Sequence, residues 1–175
     1  MATPTLENPP KARKPASPAT KLAEWFATGF GAGYAPKAPG TFGSIPGLIL
    51  GALVSASGVD MTVKIAIAIV LSVVSLWAIH VVEQHWDTHD DPRIVCDEVV
   101  GQMLAVMFVP PGVVLLVLGF VLFRVLDIWK PGPIGWADDK LPGAWGTFLD
   151  DLIAGAFAAG VLVLIHRSGI LGGLS

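Results

Sequence analysis

Four long stretches of the chain contain no Asp, Glu, Lys or Arg. They cover residues 38–59, 65–82, 99–123 and 152–166. A helix that crosses a bilayer needs about 20 apolar residues, and the stretch 65–82 approaches that length and can extend at both ends. Only 14% of the whole chain is charged, against about 25% in typical soluble domains. The pattern predicts an all-α membrane protein, a compact bundle of about four to six helices.

Interruptions in these stretches predict where the helices turn back. Pro-Pro-Gly at 110–112 is a strong helix stop, so residues 97–109 and 113–126 are expected to form an antiparallel hairpin. A second pair is expected over about 44–57 and 61–82. At a rise of about 1.5 Å per residue, each hairpin returns the chain to the level where it began. All the polar motifs are therefore expected at one end of the bundle.

The first 21 residues differ in composition from the rest. They hold four Lys and Arg residues and five of the fourteen prolines, with too few apolar residues to form a core. We expect a disordered basic tail over 1–21 and a helical membrane domain over 22–175. No continuous apolar segment follows the tail, so it is not a cleavable signal peptide. Its positive charge places it, and the polar end of the bundle, in the cytoplasm.

The overall charge and the cysteine content argue against several functions. The net charge is −3, and no basic stripe is interleaved with aromatic residues, which argues against a nucleic-acid partner. Cys96 is the only cysteine, which excludes an intrachain disulfide and a CxxC metal site. The sequence implies no protein partner.

Acidic residues are concentrated in one part of this apolar chain. Ten of the fourteen fall between positions 87 and 151. They are Asp87, Asp90, Asp91, Asp97, Glu98, Asp127, Asp138, Asp139, Asp150 and Asp151. A charged side chain at the bilayer centre costs about 2.5 to 3.5 kcal/mol, so the clustering indicates a function. We expect a divalent-metal site for a phosphate-bearing substrate at a membrane surface.

The first motif is a glycine-rich segment at 40–44 that leads into a helix. Ser44 is a candidate N-cap, with Pro46 in the first turn. Free backbone N–H groups at such a helix start favour a phosphate, which makes Gly40, Thr41 and Ser44 candidate phosphate ligands. The alternative is an ordinary capped helix start after a tight turn.

The second motif consists of Asp97 and Glu98, with Gly101 one helical turn beyond Asp97. Adjacent carboxylates supply the hard oxygen ligands that Mg²⁺ takes, and Gly101 leaves room beside Asp97 on the same helix face. The alternative is a solvated acidic helix start, which the helix macrodipole favours. His85 and His89 could ligate a softer metal, but lone histidines near an interface are more often structural.

The third motif places Arg124 and Asp127 three residues apart and ends at Lys130. In the functional interpretation, Arg124 and Lys130 grip a phosphate and Asp127 binds metal. The alternatives are an Arg–Asp ion pair that only neutralises both charges and a lysine that extends to the membrane surface.

The fourth motif is the pair Asp150 and Asp151, expected to begin the final helix. Paired carboxylates at a helix start suit metal binding. Thr147 lies three residues before Asp150, a spacing similar to that of a capping box. This gives Asp150 a structural alternative that Asp151 lacks.

With these motifs in this order, the chain resembles the phosphatidylglycerophosphatase A family of bacterial membrane phosphatases. The resemblance runs from about residue 22 to the C-terminus. It rests on Gly-Phe-Gly-Ala-Gly at 29–33 running into 38–44, Ile-Val-Cys-Asp-Glu at 94–98 with Gly101, 123–131 with Pro133, and Asp-Asp-Leu-Ile-Ala-Gly at 150–155. Two departures stand out. Asp90 rather than Asp91 fits the family's spacing to Ile-Val, and Gly-Ala-Trp-Gly at 143–146 replaces a more glycine-rich loop.

The resemblance implies Mg²⁺-dependent hydrolysis of the phosphomonoester of phosphatidylglycerophosphate, giving phosphatidylglycerol and phosphate. The family's acidic and basic motif residues fall on Asp97, Glu98, Asp127, Asp150 and Asp151, the expected metal ligands, and on Arg124 and Lys130. Catalysis is expected to depend on Asp97, Glu98, Asp127 and Asp151. The resemblance also implies a lipid substrate and a multi-pass protein of the bacterial inner membrane, with its active site facing the cytoplasm.

The alternative function is that of a small membrane transporter or scaffold with an acidic metal-binding face. Clustering of the acids at one end, rather than at the bilayer midplane, counts against a transport pathway. A phosphatidyltransferase that uses a CDP-alcohol would need an Asp-Gly-x-x-Ala-Arg element. Histidine-based lipid phosphatases would need a Ser-Gly-His string, and the sequence contains neither.

Overall fold

The uncharged stretches fold as helices, and the computed structural model describes residues 15–170. In chain order the elements are α1 (Pro18–Ala27), a 3-10 turn (Ala32–Tyr34), α2 (Pro39–Ala56), α3 (Met61–Trp86), α4 (Cys96–Val106), α5 (Val113–Trp129), α6 (Pro133–Lys140) and α7 (Ala144–Arg167). Within this described part of the chain there is no strand. The all-α prediction is confirmed, with α2 to α5 and α7 as the bundle and α1 and α6 as short additions.

Three helices between residues 15 and 170 are long and apolar enough to cross a membrane. They are α2, α3 and α7. Large apolar side chains on them, such as Ile69, Val73 and Leu164, are more than half exposed. An apolar surface of this kind is unfavourable in water and suits lipid. The chain is therefore a membrane protein, as its composition predicted.

The central helix is α4, which packs between α2 and α7. Three glycines of α2, spaced four residues apart, face it: Gly43, Gly47 and Gly51. A Cβ on Gly51 would lie 2.7 Å from the carbonyl oxygen of Met103, and one on Gly47 would collide with the carbonyl oxygen of Val99. Small residues let helix backbones approach closely in a membrane. This stripe brings the start of α2 beside the start of α4.

The predicted break at 110–112 is confirmed, and α4 and α5 form the expected hairpin around it. At the end of the bundle next to this break, Lys64 Nζ donates to the carbonyl oxygen of Met107 at 2.8 Å. The opposite end carries the starts of α2, α4 and α7 together with the C-terminal end of α5. We call this opposite end the polar end, because the acidic motifs meet there.

Helix α1 is fastened to the polar end through Trp86, the last residue of α3. The indole Nε1 of Trp86 donates to Glu24 Oε1 at 2.9 Å, and the guanidinium of Arg93 lies 4.1 Å from the centre of the Trp86 ring. By contrast, the side chains of Trp25, Trp129, Trp136 and Trp145 are each more than half exposed. Exposed tryptophans of a membrane protein suit the boundary between lipid and water.

Two predicted helix starts are wrong. Helix α2 begins at Pro39, so Ser44 lies inside the helix and is not its N-cap. Pro39 suits the first helical position, since its missing N–H has no partner there in any case. Helix α7 begins at Ala144, six residues before Asp150, so the paired aspartates lie in its second turn. The chain enters α7 through Gly143, whose φ of 58° is readily adopted by glycine.

The predicted tail at 1–21 lies mostly outside the described residues. Its last residues, 18–21, were wrongly placed there, because they form the first turn of α1. The Ser17 side chain accepts the backbone N–H of Thr20 at 3.1 Å, and Pro18 occupies the first helical position. Both features stabilise a helix start, which moves the domain boundary toward the N-terminus.

Candidate functional site

A cavity of about 360 Å³ opens at the polar end of the bundle. Its lining contains six acidic side chains and two basic ones. These are Asp90, Asp97, Glu98, Asp127, Asp150 and Asp151, with Arg124 and Lys130; the remaining lining residues are Ala38, Pro39, Gly40, Pro92, Ile94, Ile128 and Thr147. The predicted convergence of four distant motifs on one end of the bundle is therefore present as a single cavity.

Within this cavity the carboxylates form two groups that share one residue. One group contains Asp97, Glu98 and Asp151, and the other contains Asp127, Asp150 and Asp151. In each group, one carboxylate oxygen from every residue lies within 4.8 Å of the others. Asp151 therefore lies between α4 and α5 and belongs to both groups.

Close packing of α4 against α7 produces this arrangement. Asp97 and Glu98 lie in the first turn of α4. A Cβ on Gly101, one turn later, would lie 2.6 Å from the backbone carbonyl oxygen of Asp151 and equally close to the Phe123 ring. Gly101 was expected to leave room beside the Asp97 carboxylate. The structure instead uses that room for the backbone of α7, which carries Asp151 up to Asp97.

The carboxylates are buried with few donors to satisfy them. Asp97, Asp150 and Asp151 are 4%, 4% and 3% exposed. Among the described residues, Glu98 Oε2, Asp150 Oδ1 and Asp151 Oδ1 are buried oxygens with no hydrogen-bond partner. Leaving a buried polar group unpaired costs about 1 to 3 kcal/mol, and more for a charged one. Such a set of oxygens is suited to a bound cation.

Burial also changes the protonation of the α4 carboxylates. Desolvation, followed by the repulsion of the Glu98 charge, raises the pKa of Asp97 well above its ordinary value. Desolvation likewise raises the pKa of Glu98. Both groups resist ionisation while the site holds so much negative charge. A divalent cation would reverse this, because it favours the charged form of each carboxyl.

Arg124 and Asp127 line the cavity together and are paired. The Arg124 Nη1 atom lies 2.6 Å from Asp127 Oδ2 and 3.4 Å from Ser44 Oγ, to which it donates. Both side chains are largely buried. The ion pair proposed as an alternative interpretation thus exists, but it lies inside the cavity. The pair therefore fixes the Arg124 guanidinium and the Asp127 carboxylate at the site.

Lys130 is held by two carboxylates from different helices. Its Nζ lies 2.6 Å from Asp138 Oδ1 in α6 and 2.7 Å from Asp150 Oδ2 in α7. Burial alone would lower the pKa of Lys130, but these hydrogen bonds outweigh it and raise the pKa. No sequence pattern singles out Asp138, since α6 carries no strong hydrophobic period that would orient it.

The start of α2 forms one wall of the cavity, although only part of the first motif reaches it. Gly40 lines the cavity, and a Cβ on it would collide with Oε1 of Glu98. Thr41 does not line the cavity, and its backbone N–H is bonded to the carbonyl oxygen of Ala38 at 2.9 Å. Ser44 is fully buried, and its hydroxyl donates to the carbonyl oxygen of Gly40 at 2.8 Å. Ser44 reaches the cavity only through Arg124.

The remaining acidic and histidine candidates lie partly inside and partly outside the cavity lining. Asp90 lines the cavity, whereas Asp91 is bound to Arg93 at 2.7 Å, so the aspartate that fits the family spacing is the one at the site. His89 pairs with Glu83 at 2.8 Å and, like His85, lies outside the cavity lining.

Two further side chains bear on the chemistry. Thr147 lines the cavity with a buried hydroxyl that has no partner within the described range, a site contact that sequence reasoning missed. Burial raises the pKa of the Cys96 thiol to about 12. Since the thiolate is the nucleophilic form, Cys96 is unsuited to attack a phosphate.

A larger groove of about 520 Å³ lies between α3 and the start of α7. Leu76, Trp77, His80 and Trp145 line it together with residues 142–144. It contains no acidic side chain and is mostly apolar, so it lacks the chemistry of the smaller cavity. The carboxylate-lined cavity is therefore the candidate active site.

Comparison with known proteins gives one family. The family model described as phosphatidylglycerophosphatase A matches residues 25–166. A protein of that name from Escherichia coli is 36% identical over 154 residues, covering 86% of this chain and 87% of the relative. Its namesake from Haemophilus influenzae is 34% identical over 143 residues, covering 81% and 86%.

A third relative carries a different name. A protein from Bacteroides thetaiotaomicron, provisionally named as a phosphatidylinositol-3-phosphatase, is 31% identical over 147 residues. The match covers 80% of this chain and 90% of that relative. No solved structure matches the chain significantly.

Proposed function

The chain belongs to the phosphatidylglycerophosphatase A family, and we propose that it hydrolyses phosphatidylglycerophosphate at the carboxylate-lined cavity. The products are phosphatidylglycerol and inorganic phosphate. The observation that carries this assignment is the pair of carboxylate groups sharing Asp151, in the same cavity as Arg124 and Lys130. Metal ligands and phosphate-binding cations are thereby combined in one place.

We further propose that the cavity holds one or two Mg²⁺ ions. Mg²⁺ is bound through oxygen ligands, commonly one or two carboxylates together with substrate phosphate. Its expected ligands are Asp97, Glu98, Asp127, Asp150 and Asp151. The buried carboxylate oxygens without partners, and the excess of six acidic over two basic side chains, support this fit. When bound, Mg²⁺ polarises phosphoryl oxygens and lowers the pKa of coordinated water.

The chain's own residues supply charge stabilisation and proton transfer. Arg124 and Lys130 offset the negative charge that spreads over the phosphoryl oxygens during transfer. Glu98, whose Oε2 has no hydrogen-bond partner among the described residues, accepts a proton from the attacking water as general base. The bond between phosphorus and the glycerol oxygen breaks. That oxygen takes up a proton and leaves as the alcohol of phosphatidylglycerol.

The position of the cavity suits a substrate that stays in the bilayer. The cavity lies at the polar end of the candidate spans, and Ile128, one of its lining residues, is 71% exposed. An apolar side chain at the rim is compatible with the lipid part of the substrate. The phosphate can then enter the charged interior while the acyl chains remain in the membrane.

We propose that this polar end faces the cytoplasm of the bacterial inner membrane. Described basic residues outside the cavity are more numerous at the polar end than at the opposite end. Lys21, Lys37, Arg93 and Lys140 lie at the polar end, against Lys64 and Arg167 at the other. Cytoplasmic loops carry an excess of Lys and Arg. If this topology is right, a reporter fused after residue 130 reports the cytoplasm and one fused after residue 58 reports the opposite side; the reverse would contradict it.

The alternative function, a transporter or scaffold with an acidic face, would bind metal without releasing phosphate. A transport pathway needs ionisable groups through the membrane, whereas the acids of this cavity lie at one end of the helices. The two functions differ in one simple observable, the release of phosphate from a lipid.

The test is a phosphate-release assay on purified protein in detergent with Mg²⁺. Three lipids are compared at equal concentration: phosphatidylglycerophosphate, phosphatidate and phosphatidylinositol 3-phosphate. We expect fastest release from phosphatidylglycerophosphate. Faster release from phosphatidylinositol 3-phosphate would instead favour the substrate for which the Bacteroides relative is named. No release from any of the three by folded protein would overturn the proposed function in favour of the transporter or scaffold.

A further inference from the structure

The ammonium group of Lys130 lies between two carboxylates that differ in surroundings. Asp150 is buried, with 5% of its side chain exposed, and belongs to a carboxylate group of the cavity. Asp138 is 35% exposed and stands outside the cavity lining. Their distances to Lys130 Nζ are nearly equal, 2.7 and 2.6 Å. Asp150 thus belongs to one of the two carboxylate groups, and Asp138 belongs to neither.

This arrangement limits a competition between Lys130 and the metal for the Asp150 carboxylate. A lysine has a compact charge on a flexible stem, so a lysine close to buried acids can move toward them. If Lys130 paired with Asp150 alone, its charge would neutralise a carboxylate that the metal needs. It would also be drawn away from the rim, where the substrate phosphate arrives.

We propose that Asp138 is a positioning residue that holds the Lys130 ammonium at the rim of the cavity. Held there, Lys130 faces the phosphate, while Asp150 Oδ1, which has no partner among the described residues, stays available to the metal. This role rests on the proposed function and deepens it, because it names a residue that prepares the phosphate-binding cation.

The surroundings of Asp138 support this role. Helix α6 is fixed to the core by Ile134 and Ala137, which are 1% and 0% exposed. Its backbone also packs on the end of α5, since a Cβ on Gly135 would lie 2.6 Å from the carbonyl oxygen of Lys130. Asp138 is thus carried by a short helix that is anchored on the residue it holds. The carboxylate of Asp138 therefore reaches Lys130 from a helix other than those that carry the grouped carboxylates.

The experiment compares three variants with the wild-type protein: Asp138→Asn, Asp138→Glu and the matched control Asp139→Asn. Asp139 is exposed and lies outside the cavity lining. Partly exposed ion pairs contribute about 1 kcal/mol or less, so we expect Asp138→Asn to raise the KM roughly fivefold. It should also raise the Mg²⁺ concentration needed for half-maximal activity. Asp138→Glu should restore part of the loss, and Asp139→Asn should match the wild type.

A second readout needs no turnover. In metal-free protein, the rate at which an amine-acylating reagent labels Lys130 is followed by mass spectrometry, with Lys140 as the internal reference. The contacts of Lys130 Nζ with Asp138 Oδ1 and Asp150 Oδ2, at 2.6 and 2.7 Å, shield its ammonium group from the reagent. In Asp138→Asn the reagent should therefore label Lys130 faster than in the wild type, and Lys140 at an unchanged rate.

The outcomes separate the two proposals. Wild-type protein that hydrolyses no lipid phosphate would refute the function on which the role of Asp138 rests. Normal hydrolysis by wild type, with the same KM and Mg²⁺ requirement in Asp138→Asn as in Asp139→Asn, would refute the role of Asp138 alone. A raised KM with unchanged labelling of Lys130 would also refute it, because the effect would then not pass through the lysine.

Discussion

Asp97 of α4 and Asp151 of α7 each lie one helical turn before a glycine, and these two glycines are in backbone contact. A Cβ on Gly155 would collide with the carbonyl oxygen of Gly101. Because residues four apart share a helix face, contact between the glycines places the two aspartates side by side. Their carboxylate oxygens fall within 4.8 Å of each other. The carboxylate cluster thus depends on the helix packing one turn below it.

We expect Gly155→Ala to separate α4 from α7 and disable the site. The added methyl group meets backbone atoms, which cannot move aside as a flexible side chain can. Overpacking of this kind costs about 1 to 3 kcal/mol. Thermal unfolding in detergent should shift to lower temperature, and phosphate release should fall together with metal binding.

The matched control for this change is Gly160→Ala in the same helix. A Cβ on Gly160 meets nothing within 4 Å, and alanine is favoured over glycine inside a helix by about 0.5 to 1 kcal/mol. The control should be as active as the wild type and no less stable. Equal activity in Gly155→Ala and Gly160→Ala would contradict the packing argument.

Gly40→Ala is expected to reduce activity while leaving the fold intact. The new methyl group would collide with Oε1 of Glu98, the end of a flexible side chain, so Glu98 can turn away without moving a helix. Misplacing a catalytic group by about 1 Å can cost roughly a hundredfold in rate. The measurement is kcat/KM together with the unfolding temperature. A large loss of stability, or unchanged kcat/KM, would show that Glu98 is not the group affected.

Asp97→Asn should abolish turnover without destabilising the metal-free protein. The amide keeps the shape of the side chain but removes the charge proposed to bind metal, so we expect a loss of roughly a thousandfold or more, equivalent to several kcal/mol. Asn can keep the hydrogen bond that Asp97 Oδ1 accepts from the Glu98 backbone N–H at 3.0 Å, and removing one of several crowded buried carboxyl charges does not weaken the fold. Phosphate release and thermal unfolding are measured side by side, with Asp139→Asn as the charge-matched control. Activity within a few fold of wild type would remove Asp97 from the catalytic set.

The stability of the metal-free protein should depend on pH in a direction set by the buried acids. Burial raises the pKa of Asp97 and Glu98 in the folded protein, whereas the unfolded chain has ordinary carboxyl values of about 4. Their contribution to stability is therefore complete below about pH 4 and is lost as the pH rises through the raised values. The unfolding temperature of metal-free protein should fall over that range.

Mg²⁺ should oppose this fall, since a cation stabilises the ionised carboxylates. The comparison uses thermal unfolding across the pH range with chelator and with Mg²⁺. Asp97→Asn should flatten the dependence seen in chelator. An unfolding temperature that rises with pH in the metal-free protein would contradict the burial of these acids.

Much of the fold follows from the sequence because charge and proline patterns act locally. The break at 110–112 predicted the α4–α5 hairpin, and the hairpin predicted that Arg124 and Asp127 return to the level of Asp97. The acidic motifs group at one end because each helical hairpin returns the chain to the level where it began, and the structure shows this grouping.

The helix starts were less predictable, because packing between helices decides them. Ser44 is a good N-cap in isolation, but the preceding turn is helical because Pro39 fits its first position and Gly43 packs against Val95. The pairing of Lys130 with Asp138 could likewise not be predicted from the sequence. It depends on the direction of α6, a helix of eight residues that is too short to be oriented by its own hydrophobic pattern.

The most direct test is phosphate release from phosphatidylglycerophosphate by protein stripped of metal, followed as Mg²⁺ is added back. Wild-type protein should be inactive with chelator and regain activity along a saturating curve, whereas Asp151→Asn should stay inactive at every Mg²⁺ concentration. Asp151 is the residue common to both carboxylate groups, so its loss should affect every metal position. Full activity of the wild type in excess chelator, or full recovery of Asp151→Asn, would contradict a metal-dependent phosphatase built on this cluster.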